Sequence, residues 1–403
     1  MLTKLARTLA LCSLAVFLFA CEQKAVKIGV VLPLTGDDQI YGNALKDGLE
    51  LALEEIQASE QANPIEIEIV DSESDPNKAA EALATLYDDG ALLAIGGATS
   101  DEAKEMISVI DRFDRILISP SASSPELTGL SRNFYRIWPS DHASANKMAQ
   151  FLARDLKILE AVVVAEQAGE YSKGIQGAFQ IAYEGLEGTV TETVEFPPNT
   201  VDFSGIVERV VTLDPKAVYL ATYGKEAGAM IQELRKNDYQ GKILTTSAFA
   251  TPEYIAPVGE DAAGVILTQS VFELDSDHAH IKTFVEKYRE RHSKDPDIYA
   301  AHGYDILGVA VSAIATRAPI PSEVPKGLRD DVKDYPGVTG SIQFNEKGDV
   351  LKYPRMYIIS EDLGLQDYNE RVRKQQEELR KRREELKKKL DAINQQAKEM
   401  SDG

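Results

Sequence analysis

The sequence predicts an α/β protein made of two doubly wound parallel-sheet lobes followed by a charged C-terminal helix. Three observations predict it. From Ala25 onward short apolar strands alternate with amphipathic helices, which is how a parallel sheet covered on both faces reads. The alternation runs twice, in two stretches of similar build that meet at NFYRIWPSD, Asn133 to Asp141. At 403 residues, 43% apolar and 27% charged, the chain is too long for one ordinary core and has a globular composition.

The elements follow in order. KIGVVLPL is a strand, and YGNALKDGLELALEEIQ a helix whose apolar stripe is Leu45, Leu49, Ala52 and Ile56. IEIEIVD alternates as a half-covered strand does; DPNKAAEALATLYDDG then starts on a capping Asp75 and Pro76. ALLAIGG, DEAKEMISVIDRF and RILISPS complete a strand–helix–strand unit. After Asp141 the second series runs through AVVVAEQ, GIQGAFQIAYEGL, TVTETVEFP, DFSGIVERVVTL, KAVYLATY, KEAGAMIQELRKN and GKILTTS. HIKTFVEKYRERH, YAAHGYDILGVAVSAIATRA, VTGSIQFNEKGD and PRMYIIS then return to cover one unit or the other.

The two ends differ from this body. Lys4 and Arg7 precede the apolar run Leu9 to Ala20, the form of an export signal over residues 1–20 and too short for a comfortable membrane span. Leu18-Phe19-Ala20-Cys21 resembles a bacterial lipobox, with Phe19 bulkier than that motif usually carries; a plain secretory signal cut near Ala20 is the alternative. Loss of the signal takes Cys12 with it and leaves Cys21 as the single cysteine, so no internal disulfide forms and acylation gives that thiol a use. From Gln366 to Gly403 the text is free of proline and rich in Glu, Lys and Arg, with Glu377–Lys381, Glu378–Arg382, Glu384–Lys388 and Glu385–Lys389 spaced as i,i+4 pairs. One heptad position is apolar at Leu365, Val372, Leu379, Leu386, Ile393 and Met400; its complement holds Asn369, Gln376 and Arg383 before Leu390 and Ala397. That half-seam fits a solvated helix as well as one that self-associates or binds a partner.

Several functions are disfavoured. A net charge of −21 opposes nucleic-acid binding. Five histidines, with only His278-Ala-His280 close together, give no metal set, and no phosphate-cradling glycine loop or GxSxG elbow follows a strand. Neither cofactor nor metal is expected, and catalysis is not.

The strand ends carry the functional signal. Gly96-Gly97-Ala98-Thr99-Ser100 runs into a helix start, where free amides and the positive end of the dipole face outward. Ser121-Ala122-Ser123-Ser124 ends the neighbouring strand, where ligands of open parallel sheets sit. Such hydroxyls and amides can hold a carboxylate without a formal cation, or can simply cap helices and turns.

The ordered landmarks IGVVLPLTGDDQIYGNALKDGLELALEEI, DSESDPNKAAEALATL, AIGGATS, ISPSASSPELTG, NFYRIWPSD, EYSKGIQGAF, DFSGIVERV, VYLATYG and AAHGYDILGVA closely resemble periplasmic binding proteins of the leucine/isoleucine/valine type, from about Ala25 to Ser360. The resemblance implies two lobes joined by three hinge crossovers, with residues 25–139 and 272–345 in lobe 1 and 140–271 and 346–362 in lobe 2. It implies that Ser100, Ser121, Ala122 and Ser123 hold the ligand's polar end and that Tyr171 and Tyr223 come from the second lobe, with Tyr41 at the cleft mouth. One departure stands out. Where amino-acid binders of this type carry an acid for the ligand ammonium, this chain has Ala248 and Phe249. Either Glu253 or Asp305 substitutes, or the ligand is another small carboxylate or amide, with Phe249 making the cleft more apolar. The implied partners are a small amino-acid-like ligand, an ABC importer permease and a bacterial membrane reached through Cys21, in the periplasm or at the cell surface. A non-transporting sensor or scaffold acting through the C-terminal helix is the rival.

Overall fold

The structure is a computed structural model that describes residues 25–59 and 64–401; residues 1–20 and Cys21 lie outside the described residues. Two sheets organise it. The first has the order β2-β1-β3-β4-β5 and is parallel throughout: β1 Val26–Leu32, β2 Ile65–Asp71, β3 Leu93–Gly96, β4 Ile116–Ser119 and β5 Phe134–Arg136. β1 sits inside the sheet and reads as a near-continuous apolar run because both of its faces are covered. β2 lies at the edge, so its alternate glutamates face out.

Helices α1 Gln39–Ala58, α2 Pro76–Asp88 and α3 Ser100–Phe113 are the crossovers. Leu45, Leu49 and Ala52 of the predicted stripe are buried. Asp75 caps α2, its carboxylate accepting from Asn77 N at 2.8 Å and Lys78 N at 3.3 Å, while Pro76 fills the first-turn position where no N–H is needed.

The second sheet is mixed rather than wholly parallel. Its order is β14-β13-β10-β9-β8-β6-β7; β6 Glu160–Glu166, β7 Thr189–Phe196, β8 Ala217–Ala221, β9 Lys242–Thr245 and β10 Ile266–Gln269 are parallel, whereas β13 Arg355–Ile359 and β14 Leu365–Asp367 add antiparallel at one edge. The late strand PRMYIIS joins this sheet after a long return, and a short turn to β14 forces the antiparallel sense. Around it pack α4 Asp141–Gln150, α5 Glu170–Glu184, α6 Ser204–Leu213, α7 Gly224–Lys236 and α8 Pro252–Val258.

Between β10 and β13 the chain returns to the first sheet. α9 Ala279–His292, α10 Ile298–Ala315, α11 Val324–Asp330 and the hairpin of β11 Tyr335–Gly337 with β12 Gly340–Ile342 belong there. α10 is apolar enough to span a membrane by length and composition, but 78% of it is buried inside the fold, where it packs on α1. The two helices touch backbone to backbone. A Cβ on Gly48 would meet Ala300 O at 1.9 Å, and one on Gly303 would meet Leu45 O at 2.0 Å.

The sequence places the tail helix from Gln366; the structure begins it two residues later. Residues 365–367 are strand β14, and Asp367 then caps α12 Tyr368–Ser401 by accepting from Asn369 N at 2.9 Å and Glu370 N at 3.1 Å. Tyr368 stacks edge-on against Phe151 at 4.7 Å, rooting α12 on the second sheet's side. None of the four predicted i,i+4 pairs closes to 4 Å among the described residues; Glu370–Lys374 at 2.9 Å and Arg380–Glu384 at 3.9 Å form instead.

The α1–α10 contact generates a paired test. Gly303→Ala should lower stability by about 2 kcal/mol, because the new methyl drives the helices apart. Gly177→Ala, on α5 with open space around the position, should raise it by up to about 1 kcal/mol. Chemical denaturation of both variants checks the pair; equal effects would discount the close approach.

Candidate functional site

The chain crosses between the sheets directly after β5, and this crossing builds the site. Arg136 is wholly buried, the only cation in an otherwise apolar FYRIW stretch. Its Nε donates to Asp349 Oδ1 at 2.6 Å, Nη1 to Ser124 O at 2.7 Å and Nη2 to Thr128 Oγ1 at 2.6 Å. The backbone joins in: Arg136 N donates to Gly348 O at 3.0 Å and Val350 N to Arg136 O at 3.2 Å. One guanidinium therefore ties the serine loop to two of the connections between the sheets. A buried cation with a paired carboxylate and two further acceptors is satisfied; stripped of either it would cost about 3–5 kcal/mol.

The serine loop lies against the start of α3. Thr99 caps the helix by accepting from Glu102 N at 3.2 Å, and the amides of Ser100 and Asp101 have no intrahelical acceptor. Ser100 Oγ accepts from Ser123 N at 3.2 Å and Ser124 N at 3.0 Å. Ser121 donates its proton to Ala98 O at 2.6 Å, and Ser123 donates to Asp141 Oδ2 at 2.7 Å. The sequence treats the three serines alike, yet hydrogen-bond counting separates them. Ser100 keeps its own proton to give to a ligand; Ser121 and Ser123 have spent theirs and can only accept.

Opposite stand groups from the second sheet's side. A small gap is lined by Tyr41, Ala98, Thr99, Ser100, Ser121, Ser123, Trp138 and Tyr299, with Tyr171, Tyr223, Ser247 and Ala248 completing it from that side. Its volume is about 20 Å³, room for about one water. Six of the eight predicted residues thus face one space: Tyr41, Ser100, Ser121, Ser123, Tyr171 and Tyr223. Ala122 does not; its methyl is in the core under the first sheet, and only its amide is engaged, donating to Ser119 Oγ at 2.9 Å. Phe249 does not either, being fully buried beside Gly228, so the space receives Ala248 instead.

Sequence reasoning missed Trp138, Tyr299, Thr99 and Ser247. The first two had a signal: Trp138, the only tryptophan of the chain, is inside the landmark NFYRIWPSD, and Tyr299 immediately precedes the landmark AAHGYDILGVA. They stack at 5.1 Å, and Tyr41 lies 4.7 Å from Tyr299, while Tyr171 stacks on Tyr223 at 4.6 Å.

Tyr41 also locks the two sides together. Its hydroxyl donates to Ala248 O at 3.0 Å and accepts from Gly224 N at 3.0 Å, filling an orphan position at the start of α7. Tyr223 donates to Asp101 Oδ2 at 3.0 Å, Glu170 N donates to Asp101 Oδ1 at 2.7 Å, and Lys104 reaches Glu170 at 2.5 Å. Lys225 pairs with Asp37 at 2.6 Å. The cleft is shut by direct contacts.

Neither substitute acid reaches it. Glu253 is exposed and 3.7 Å from Lys294. Asp305 is buried, but it accepts from Val338 N at 2.8 Å and Thr339 N at 2.9 Å, holding the β11–β12 hairpin. The lining has no carboxylate, cation or histidine. Asp141 is a buried acid one hydroxyl removed behind Ser123, with Oδ1 unpartnered, as the half-buried Asp101 is one hydroxyl removed behind Tyr223. Burial pushes it up to about 7, against the opposing pull of the Ser123 bond and the Arg136 charge. His302 stacks at 4.4 Å on Trp138 from outside the gap and is held neutral by burial. Among the described residues no group of three or more His, Cys, Asp or Glu is arranged to hold a metal. A larger groove of about 940 Å³ lies at the root of α12, but its Arg355 is already paired to Glu273 at 2.7 Å, and it contains none of the serine-loop residues.

Comparison with known proteins gives a consistent picture. A family model described as periplasmic binding protein matches residues 25–359. The chain is 25% identical over 346 residues to a Brucella melitensis protein named Leu/Ile/Val-binding protein homolog 3, covering 84% of this chain and 92% of that one. It is 22% identical over 361 residues to a leucine-, isoleucine-, valine-, threonine-, and alanine-binding protein of Pseudomonas aeruginosa, covering 87% and 94%. The crystal structure of a leucine-binding protein from Thermotoga maritima superposes with a TM-score of 0.80 at 26% identity, covering 85% of this chain and 97% of that chain. A Streptococcus pneumoniae branched-chain amino acid transporter substrate-binding protein, solved with isoleucine, shares the fold with a TM-score of 0.78 at 23% identity, covering 85% and 100%.

Asp141 supplies the test of this geometry. Its folded value near 7 exceeds the unfolded value of about 3.9, so the fold favours the protonated form. The contribution is complete below about pH 4 and disappears as pH rises through 7, on the order of 4 kcal/mol across the window. Asp141→Asn should therefore match the natural protein near pH 4 and exceed its stability increasingly toward pH 7 to 8. Urea melts at intervals between pH 4 and 8 read this, and parallel curves would refute a buried, unmatched carboxylate.

Proposed function

The chain belongs to the periplasmic binding protein family, and from that premise we propose that it is an extracytoplasmic solute receptor of an ABC importer, holding a small ligand in the gap between its two lobes. The observation that carries this is the convergence of strand ends and helix starts from both sides, Ser100 at α3 and Tyr223–Gly224 at α7, on one space lined with hydroxyls and aromatic rings. Relatives named for leucine, isoleucine and valine binding support an amino-acid-like size and a carboxylate end. Ser100 donates its free proton and the first-turn amides of α3 add theirs, so the carboxylate needs no fixed cation. The rings of Tyr41, Trp138, Tyr171, Tyr223 and Tyr299 cover the rest.

The ligand's other end decides its class. An α-ammonium buried against this lining would face no carboxylate, a cost of several kcal/mol. The reading is accordingly of a small carboxylate or amide that lacks a free ammonium. The role is capture without turnover: the lining serines have no histidine or carboxylate in the gap to act as base. The protein is retained at the membrane through a lipid on Cys21, facing the periplasm or the cell surface.

A second reading, a sensor or scaffold on the same fold, draws on the 34-residue helix α12, exposed over residues 373–390, which a receptor that only hands over its ligand does not need.

A thermal-shift panel of branched-chain amino acids, their deaminated 2-oxo and 2-hydroxy analogues, and short amides tests these statements. A binder present at about a hundred times its Kd should add about 2.7 kcal/mol of stability. Stabilisation by the deaminated compounds and not by the amino acids is expected. The reverse would overturn the ligand class and leave the receptor standing; no response from any compound would count against the receptor. Ser100→Ala should cut the response at least about tenfold in affinity, whereas Ser123→Ala, whose proton is committed to Asp141, should change it far less.

A further inference from the structure

We propose that α12 is a membrane-surface helix that lies on an anionic phospholipid headgroup layer, independently of any lipid at the N-terminus. The helix leaves the body fully exposed from Lys374 to Leu390. Leu379, Leu386, Leu390 and Ile393, each more than half exposed, are four of the eleven large apolar side chains exposed among the described residues; the other seven are scattered between residues 130 and 353. At about 100° per residue these four fall within an arc of about 60°. They form one stripe with nothing on it.

What flanks the stripe selects its partner. Arg373, Arg380 and Lys387 run along one border, and Arg371, Arg382 and Lys389 along the other. The acids Glu377, Glu378, Glu384 and Glu385 sit toward the far side, among Lys374, Lys381 and Lys388. Between Arg371 and Lys389 there are ten basic and four acidic residues in a chain whose net charge is −21. Arg382, Lys387 and Lys389 have no ion-pair partner among the described residues. Long basic side chains bordering an apolar stripe can lay their stems along hydrocarbon and lift their charges to phosphate.

A second copy is the poorer match. Joining two such stripes sets basic border against basic border in either orientation, where a coiled coil requires opposite charges. Gln376 and Arg383 also interrupt the second row that a seam would need. The acidic body of another copy would satisfy the charge and leave the leucines uncovered. An anionic bilayer supplies phosphate and hydrocarbon together.

The test is flotation with vesicles of phosphatidylcholine alone or of phosphatidylcholine with about one-third phosphatidylglycerol. The protein used lacks residues 1–21, which removes the signal and Cys21 and none of the described fold, since that begins at residue 25. At low salt the protein should float with the anionic vesicles at least about tenfold more than with the neutral ones, and lose this near 0.5 M salt. The fourfold variant Arg380→Glu, Arg382→Glu, Lys387→Glu, Lys389→Glu should not float, although its body melts at the same temperature. Equal flotation with both vesicles would overturn the proposal. So would anionic binding that survives the fourfold change, or no binding by a protein that sedimentation shows to pair through α12.

Discussion

The buried guanidinium of Arg136 is the constraint on which the rest of the molecule is arranged. A cation at zero exposure must have its charge and its N–H groups met, and the groups that meet it come from two separate stretches of chain: Asp349 from one, and the carbonyl of Ser124 with the hydroxyl of Thr128 from the other. Meeting them fixes the serine loop in space and runs the connection after β12 alongside the one after β5. From there the consequences are local. Ser123 and Ser124, so placed, direct their amides onto Ser100 Oγ, and Asp141, just past the crossing, receives the Ser123 proton. The binding geometry is therefore a by-product of satisfying one ion where the lobes join.

Closure is held by the protein's own contacts. Tyr41 spans to Ala248 O and Gly224 N, and Tyr223 to Asp101, with the remaining space about the size of one water. A ligand shifts a two-state equilibrium only by the difference in its affinity for the two states. For the small ligand we propose, a space of about 20 Å³ means that it can enter only if the lobes part. A guest that lets Tyr41 keep both of its bonds gains most from closure, since those bonds then add to its own.

The division of the chain into two α/β units was legible because period and punctuation agreed. Buried strands such as VKIGVVL read as continuous apolar runs, amphipathic helices as stripes, and Asp75-Pro76 as a start signal, each a local property. The serines were legible from their place at strand ends, but the tyrosines around the gap only through the order of landmarks, since no short-range rule distinguishes Tyr41 from any other buried tyrosine. Three things were hidden. Which serine retains a donor depends on partners 18 to 24 residues away, and sequence shows none of them. The exchange of Phe249 for Ala248 at the lining turns on a short 3-10 turn, Ser247–Phe249, that rotates the aromatic ring into the core. Glu253 and Asp305 looked available as ammonium partners because an acid's prior engagement, with Lys294 or with a hairpin's amides, is a tertiary fact.

Charge at the mouth completes the account of closure. The rim of the gap sets Asp37, Asp38 and Asp101 of the first lobe near Glu166, Glu170 and Glu226 of the second. Burial pushes Asp38 up to about 8, with Glu102 and Glu226 adding to it, and Glu166 and Glu226 are raised by burial as well. So many acids meeting would oppose closure if nothing answered them. Two lysines do, each crossing the cleft: Lys104 to Glu170 and Lys225 to Asp37. Both are about half exposed, so salt screens them, whereas the partly buried Asp38, Glu166 and Glu226 are screened less. The repulsive part of the balance thus lies deeper than the attractive part. The aromatic contacts and the two Tyr41 bonds, which carry no net charge, must supply the difference. That explains why the gap is walled by neutral rings and hydroxyls: any further fixed charge there would have to be met inside a cleft whose rim is already crowded with carboxylates.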